Sequence, residues 1–237
     1  MNETINTMKN HVSVRKFTDE KIPASDLREI LEAGQMASTW KNFQSYSIIV
    51  VESQEQKQAL YDIHPQKSIL ESAVFLVMVG DLNRADKAFE LYDNETIHPS
   101  GVENLLISSV DAALCGQNIL LAAESLGYGG VMVGLIREDS EKISDLLKLP
   151  DYTYPVFGIA LGQPAKKNKV KPRLDLWKIA FKDEYQEANI EDIQDYDRIQ
   201  DEFSNHRLNK WSERIVEQWG KDEDSSTLKN LKNKKLM

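Results

Sequence analysis

SSVDAALCGQNILLAAESLGYGGVMVG, residues 108–134, decides how the rest of the chain is read. From Val102 to Leu126 the apolar positions Leu105, Leu106, Ile107, Val110, Ala113, Leu114, Leu120 and Leu121 cover more than one helical face. That pattern predicts a long helix buried in a core or a subunit interface. Gly127 ends it, and VMVG after Gly129 and Gly130 reads as a strand. A dinucleotide-binding fingerprint needs glycines that leave a strand and open a helix; these leave a helix and open a strand, which excludes it. Two readings of the pair stay open. It is a tight helix-to-strand turn, or a place where a flat ligand lies on the main chain with a backbone N–H free to reach it.

Working outward, SYSIIVVE (residues 45–52) and VFLVMVGD (residues 74–81) are short β-branched runs of the kind that form buried central strands. Between them QEQKQALYDI is helical. YPVFGIALG (residues 154–162) makes a fourth strand, and a helix from Glu138 to Leu149 is stopped by Pro150. Upstream, Leu27, Ile30 and Leu31 share one face of a helix from Ala24, with Gly34 as its C-cap. Strands alternating with helices predict an α/β or α+β layer of sheet and helices. No repeat or Gly/Ser linker interrupts the chain, so residues 1–237 read as one domain, with 175–237 a charged helical excursion.

The 237 residues, 41% hydrophobic, suffice for a sizeable core. No leader-like apolar segment opens the chain and no run has the length of a membrane span, so the cytoplasm is the expected compartment. Cys115 is the single cysteine, among apolar neighbours, and reads as structural. No spacing of His, Cys and carboxylates suggests a metal site, and no catalytic triad or carboxylate pair stands out. His64 and His98 precede prolines in expected loops and His206 lies in the tail; each reads as a non-catalytic surface residue. A formal charge of −9 disfavours nucleic acid or an acidic membrane as partner, so any anion site must be local.

Two segments could make such a site. In an extended HVSVR, His11, Ser13 and Arg15 face one way and present a ring nitrogen, a hydroxyl and a guanidinium. KKNKVKPR (residues 166–173) carries five basic side chains and no acidic one, with Lys171 and Arg173 flanking Pro172. Taken singly, the first is also an ordinary polar strand edge and the second a solvated loop. Together, in an acidic chain, they suggest two arms on one phosphate.

In order and spacing, HVSVRKFTDEKI, NFQSYSIIVVES, HPQKSIL, SSVDAALCGQNILLAAESLGYGGVMVG, LLKLP, PVFGIALGQP, VKPRL and HRLNKWSERI resemble the nitroreductase family, specifically its NADPH-preferring nitroreductase and flavin reductase branch. The resemblance runs from about residue 8 to about residue 215. It implies an α+β, sandwich-like fold: a central mixed, mostly antiparallel sheet flanked by helices, a long buried central helix, and a homodimer. It implies FMN as prosthetic group and NADPH as co-substrate, with hydride passing through flavin N5 to nitroaromatic, quinone or flavin acceptors in a ping-pong cycle, and no catalytic side chain. His11 and Ser13 would hold the phosphate with Lys171 and Arg173, and Arg15 would reach the pyrimidine edge. Thr39, Gln66, Lys67 and Ser68 would contact the ring and ribityl chain, Gly129 and Gly130 would lie near N5, and Arg207 would meet the NADPH 2′-phosphate. Lys41 and Asn42 depart from the family's small residues, and the sequence after Trp219 departs from its usual ending. A reductase that supplies reduced flavin to a partner, and a flavin-binding sensor or carrier without turnover, are the rival functions.

Overall fold

A computed structural model describes residues 2–92, 97–98, 101–166, 168–220 and 226–237. In chain order the elements are α1 (Glu3–Lys9), α2 (Ala24–Gln35), β1 (Tyr46–Val51), α3 (Gln54–Ile63), α4 (Lys67–Glu71), β2 (Val74–Asp81), α5 (Asn83–Phe89), α6 (Val102–Ser125), β3 (Gly129–Val133), α7 (Ser140–Leu146), β4 (Thr153–Gly162), α8 (Ile190–Ser204), α9 (Trp211–Trp219) and α10 (Ser226–Asn233). They fall into two compact units, Met1–Asn168 with Ser225–Met237, and Lys169–Asp224.

The first unit is built on a sheet of order β1-β2-β4-β3 whose named pairings are all antiparallel. β2 is buried at every position, and its side chains alternate between two cores. Phe75, Val77 and Val79 join Leu60, Ile69 and Ile143 on one face, while Val74, Leu76 and Met78 join Ile30, Cys115 and Ile119 on the other. A strand with an apolar core on each side has no polar face to alternate, which explains its unbroken apolar run. β1 reads almost identically in sequence, yet it lies at the edge of the sheet with Val50 exposed, so the expectation of a central strand is corrected there. β-branched runs report strand propensity; which strand is central depends on pairing partners elsewhere in the chain. Pro155 sits in central β4 without breaking the sheet because the register shifts beside it, between Met78 and Val79.

The helix from Val102 forms as expected and ends at Ser125, with Gly127 at φ +89°. By length and composition α6 would suit a membrane span, contrary to the expectation that no segment does. Here it packs on α2 and the sheet and buries Ser108, Asp111, Ala112, Cys115, Gly116, Ile119, Leu120 and Ala123. The read helix boundary at Gly34 is also corrected. α2 continues to Gln35, and a Cβ on Gly34 would lie 2.4 Å from Ile119 Cγ1, so this glycine lets two helices approach and caps neither. The helix read from Glu138 to Leu149 is shorter, Ser140–Leu146, after a 3-10 turn at Gly134–Arg137. The last stretch of chain belongs to this unit too: Asn230 is buried and donates to Ser140 and Ser144, and Leu231 and Leu236 pack near Leu82 and Tyr154.

In the second unit α8 and α9 meet through Tyr196 and Trp211, whose rings are edge to face at 5.2 Å. Asp197 of α8 accepts from both the backbone N–H and the hydroxyl of Ser212, placing a carboxylate at the α9 N-terminus.

Candidate functional site

The N-terminal arm after α1 extends the sheet. Ser13 bridges Gly130 in parallel, the Val14 N–H donates to the Gly130 carbonyl at 2.8 Å, and Phe17 bridges Pro164. Val14 and Phe17 point into the core, so Ser13 and Arg15 are turned away from it. The arm and the Gly129–Gly130 turn, read as separate features of the sequence, are therefore side by side. Asn168 donates from its amide to the Ser13 carbonyl at 2.9 Å, which fixes the strip from its outer side.

His11 does not stand free. Its Nδ1 lies 2.6 Å from a Glu124 carboxylate oxygen at the end of α6. Burial pushes the Glu124 carboxyl above the ordinary carboxylate range, and the contact with His11 opposes that rise. With Nδ1 engaged by Glu124, Nε2 is the ring nitrogen left for a ligand.

The two glycines are explained first by packing. A Cβ on Gly129 would come within 2.6 Å of Val14 Cγ2, and one on Gly130 within 2.6 Å of Leu161 Cδ2 and 2.8 Å of the Ala160 carbonyl oxygen. Both residues are buried in β3. The crowding that demands glycine comes from the protein's own atoms, and the turn itself is made before them, at Gly127.

Thr39 opens a short loop before β1. Its hydroxyl accepts from the Gln44 N–H at 3.3 Å, and Lys41, Asn42 and Gln44 all take left-handed φ values of 49°, 59° and 53°. Such non-glycine residues cost roughly 1 kcal/mol or more each. The buried Asp111 of α6 offsets this: its two oxygens accept from the N–H groups of Trp40 and Ser45, each at 3.0 Å. Lys41 lies over the Trp40 ring at 4.5 Å, and Trp40 meets Phe43 edge to face. Trp40, Phe43 and Gln44 also line a cavity of about 1470 Å³ that extends along α2, β1, α5 and the start of α6. Gln66 and Lys67 stand at the start of α4, Lys67 exposed, while Ser68 is buried.

In the second unit the Pro172 carbonyl accepts from the Tyr196 hydroxyl at 2.9 Å and the Gln200 amide at 3.2 Å. The backbone between Lys171 and Arg173 is thus tied to α8, with both side chains exposed. Lys167 of the basic stretch lies outside the described residues. Arg207 is exposed just after α8, its N–H donating to Ser204. Among the described residues, the side chains of Arg15, Lys67, Arg173 and Arg207 enter no ion pair. Arg15 and Lys67 in the first unit, and Arg173 and Arg207 in the second, are each side chains of the kind that meets a phosphorylated ligand.

Three residues escaped the sequence reading. Asp111 and Glu124 were legible in principle, as lone acids inside an apolar helix that must find partners when buried. His64 was misread: it is buried, with Nε2 unpartnered and 3.8 Å from an Asp139 oxygen. An adjacent proline marks a turn in the chain; it says nothing about which side faces water. His206 is exposed and paired with Asp201. Cys115 is buried, and burial raises its thiol above the ordinary range, in keeping with a packing role. Among the described residues no group of three or more His, Cys, Asp or Glu side chains gathers as metal ligands.

Residues 8–163 match the model of the nitroreductase family, and residues 171–237 match that family's C-terminal domain. An NADPH-dependent oxidoreductase of Staphylococcus epidermidis is 36% identical, covering 95% of this chain and 94% of its own. Nitroreductase A from Vibrio parahaemolyticus superposes with a TM-score of 0.93 at 34% identity, covering 100% of this chain and 98% of its own. The NADPH:FMN oxidoreductase of Vibrio harveyi, complexed with NAD+, superposes with a TM-score of 0.91 at 33% identity over 99% of both chains.

Proposed function

Because this chain belongs to the nitroreductase family, we propose that it is an NADPH-dependent, FMN-containing oxidoreductase that reduces nitroaromatic, quinone or flavin acceptors in a ping-pong cycle. The observation that carries this reading is the bridge between Ser13 and Gly130, which unites the polar N-terminal arm with the turn after α6. When bound, FMN supplies the hydride chemistry at N5. The protein's part is to bind and orient. His11 and Ser13 serve the phosphate, Arg15 the pyrimidine edge, and Thr39, Gln66, Lys67 and Ser68 the ring and ribityl chain. Gly129 and Gly130 provide the main chain near N5. Lys171 and Arg173 serve the phosphate as well, and Arg207 receives the 2′-phosphate of NADPH bidentately.

The assembly is a homodimer. Val102, Leu106, Val110 and Leu114 form an exposed stripe at four-residue spacing along α6, and that helix also borders the large apolar cavity. Exposed apolar surface of this kind is what a second copy covers. The enzyme works in the cytoplasm, on small molecules, without nucleic acid or membrane. The name of the Vibrio harveyi relative, an NADPH:FMN oxidoreductase, supports flavin as one of the acceptors.

The test is flavin content. The purified protein, as isolated or after incubation with FMN, is expected to show oxidised-flavin absorption bands at one FMN per chain, and the Ser13→Ala and Arg15→Ala variants to hold it less tightly. A colourless protein that FMN cannot reconstitute contradicts the reading.

A further inference from the structure

The carboxylate of Asp111 is 1% exposed and comes from the middle of α6. Its Oδ1 accepts from the Trp40 N–H and its Oδ2 from the Ser45 N–H. These two amides lie at opposite ends of a single loop, so one side chain clamps both its limbs to the core helix. Between them stand Lys41, Asn42 and Gln44, all left-handed and none glycine. Such a backbone persists only where its surroundings over-determine it. Local contacts also shape it, Asn42 N–H to the Thr39 carbonyl, Phe43 N–H to the Trp40 carbonyl and Gln44 N–H to the Thr39 hydroxyl, and at its far end the Arg84 guanidinium donates to the Gln44 carbonyl at 2.8 Å and the Asp81 N–H to the Ser45 carbonyl at 3.0 Å. Arg84 and Asp81 reach only the limb at Gln44 and Ser45, whereas the Asp111 carboxylate holds that limb and the one at Trp40 together, and does so from the core helix.

We propose that Asp111 is a positioning residue for the flavin site: by holding both limbs of the Thr39–Ser45 loop it sets the place of Thr39 and of the Trp40–Phe43 pair, and thereby the affinity for FMN. This rests on the reading of Thr39 as a flavin contact. A carboxylate suits the task because it accepts with both oxygens. An amide of the same shape must aim an N–H at one of the two backbone donors, leaving it unpaired in a buried place.

Asp111→Asn therefore tests the idea with little change in volume. Amide exchange of the flavin-free protein, followed by mass spectrometry, is expected to rise in residues 39–45 and to stay unchanged in β2 and β4. The dissociation constant for FMN, read from flavin fluorescence, is expected to rise at least about tenfold, the scale of one lost hydrogen bond to a charged group. Exchange that rises in the loop while FMN affinity stays the same overturns the proposal and leaves Asp111 a structural residue; so does exchange that does not rise in the loop. Failure of the unmodified protein to bind FMN overturns the flavin reading, and this proposal with it, before the variant is made. Should the variant not fold, the unmodified protein decides: FMN is expected to slow exchange further in residues 39–45, and no change there overturns the proposal.

Discussion

Strand β2 and the loop from Thr39 to Ser45 belong to the same unit and are held in different ways. Every residue of β2 is buried, and β1 and β4 pair it on both sides. The loop keeps three left-handed residues in place with a few polar ties, of which the Asp111 carboxylate joins both limbs to the core helix. The strand's stability is spread over many contacts, so losing one weakens the whole fold and changes no specific geometry. The loop concentrates its constraint, so losing one contact is expected to alter binding before it alters stability. The same contrast separates the sheet from Arg15, Lys67, Arg173 and Arg207, whose exposed side chains enter no ion pair among the described residues.

The largest expected effect comes from attacking the distributed region. Phe75 is fully buried, with its ring 2.2 Å from where a Cβ on Gly158 would stand. Phe75→Ala should cost about 3–5 kcal/mol through lost burial and a residual cavity. Thermal unfolding checks this, and a variant as stable as the parent would break the comparison on the strand's side. Next comes Arg173→Ala, which should strip FMN from the purified protein while leaving the unfolding temperature of the flavin-free form within a few degrees. Full retention of flavin would remove Arg173 from the phosphate site.

The difference also explains what could be read from the sequence. β2, α6 and β4 were legible because burial imposes a pattern on consecutive residues: an unbroken apolar run, or apolar positions on several faces of one helix. The polar arm at His11, Ser13 and Arg15 was legible as chemistry, and the turn at Gly127 as backbone. That the arm adjoins Gly130 was not, since a bridge between distant segments leaves no local periodicity. Nor was the crowding at Gly34 and Gly129, because a glycine demanded by a neighbouring helix or arm looks in sequence like one demanded by a turn. The burial of His64 was missed for the same reason: its surroundings, with Asp139 among them, are distant in sequence.

Smaller effects sharpen the account. Arg207→Ala should raise the Michaelis constant for NADPH about tenfold, the scale of a lost charged hydrogen bond, and change that for NADH little. Equal effects on both would remove Arg207 from the 2′-phosphate. Smallest is His64→Leu. Replacing a buried ring with an unpartnered Nε2 by an apolar side chain is expected to stabilise the protein by up to about 1 kcal/mol. A marked loss of stability would mean that the ring has a partner in solution, and that this part of the core is held more like the loop than like the strand.

Whether this family member turns over NADPH through a bound flavin is decided by anaerobic titration of the purified, FMN-loaded protein. One equivalent of NADPH per flavin is expected to bleach the oxidised-flavin bands, and adding a quinone to restore them. Bands that persist in excess NADPH would contradict it and leave a chain that binds flavin without using it.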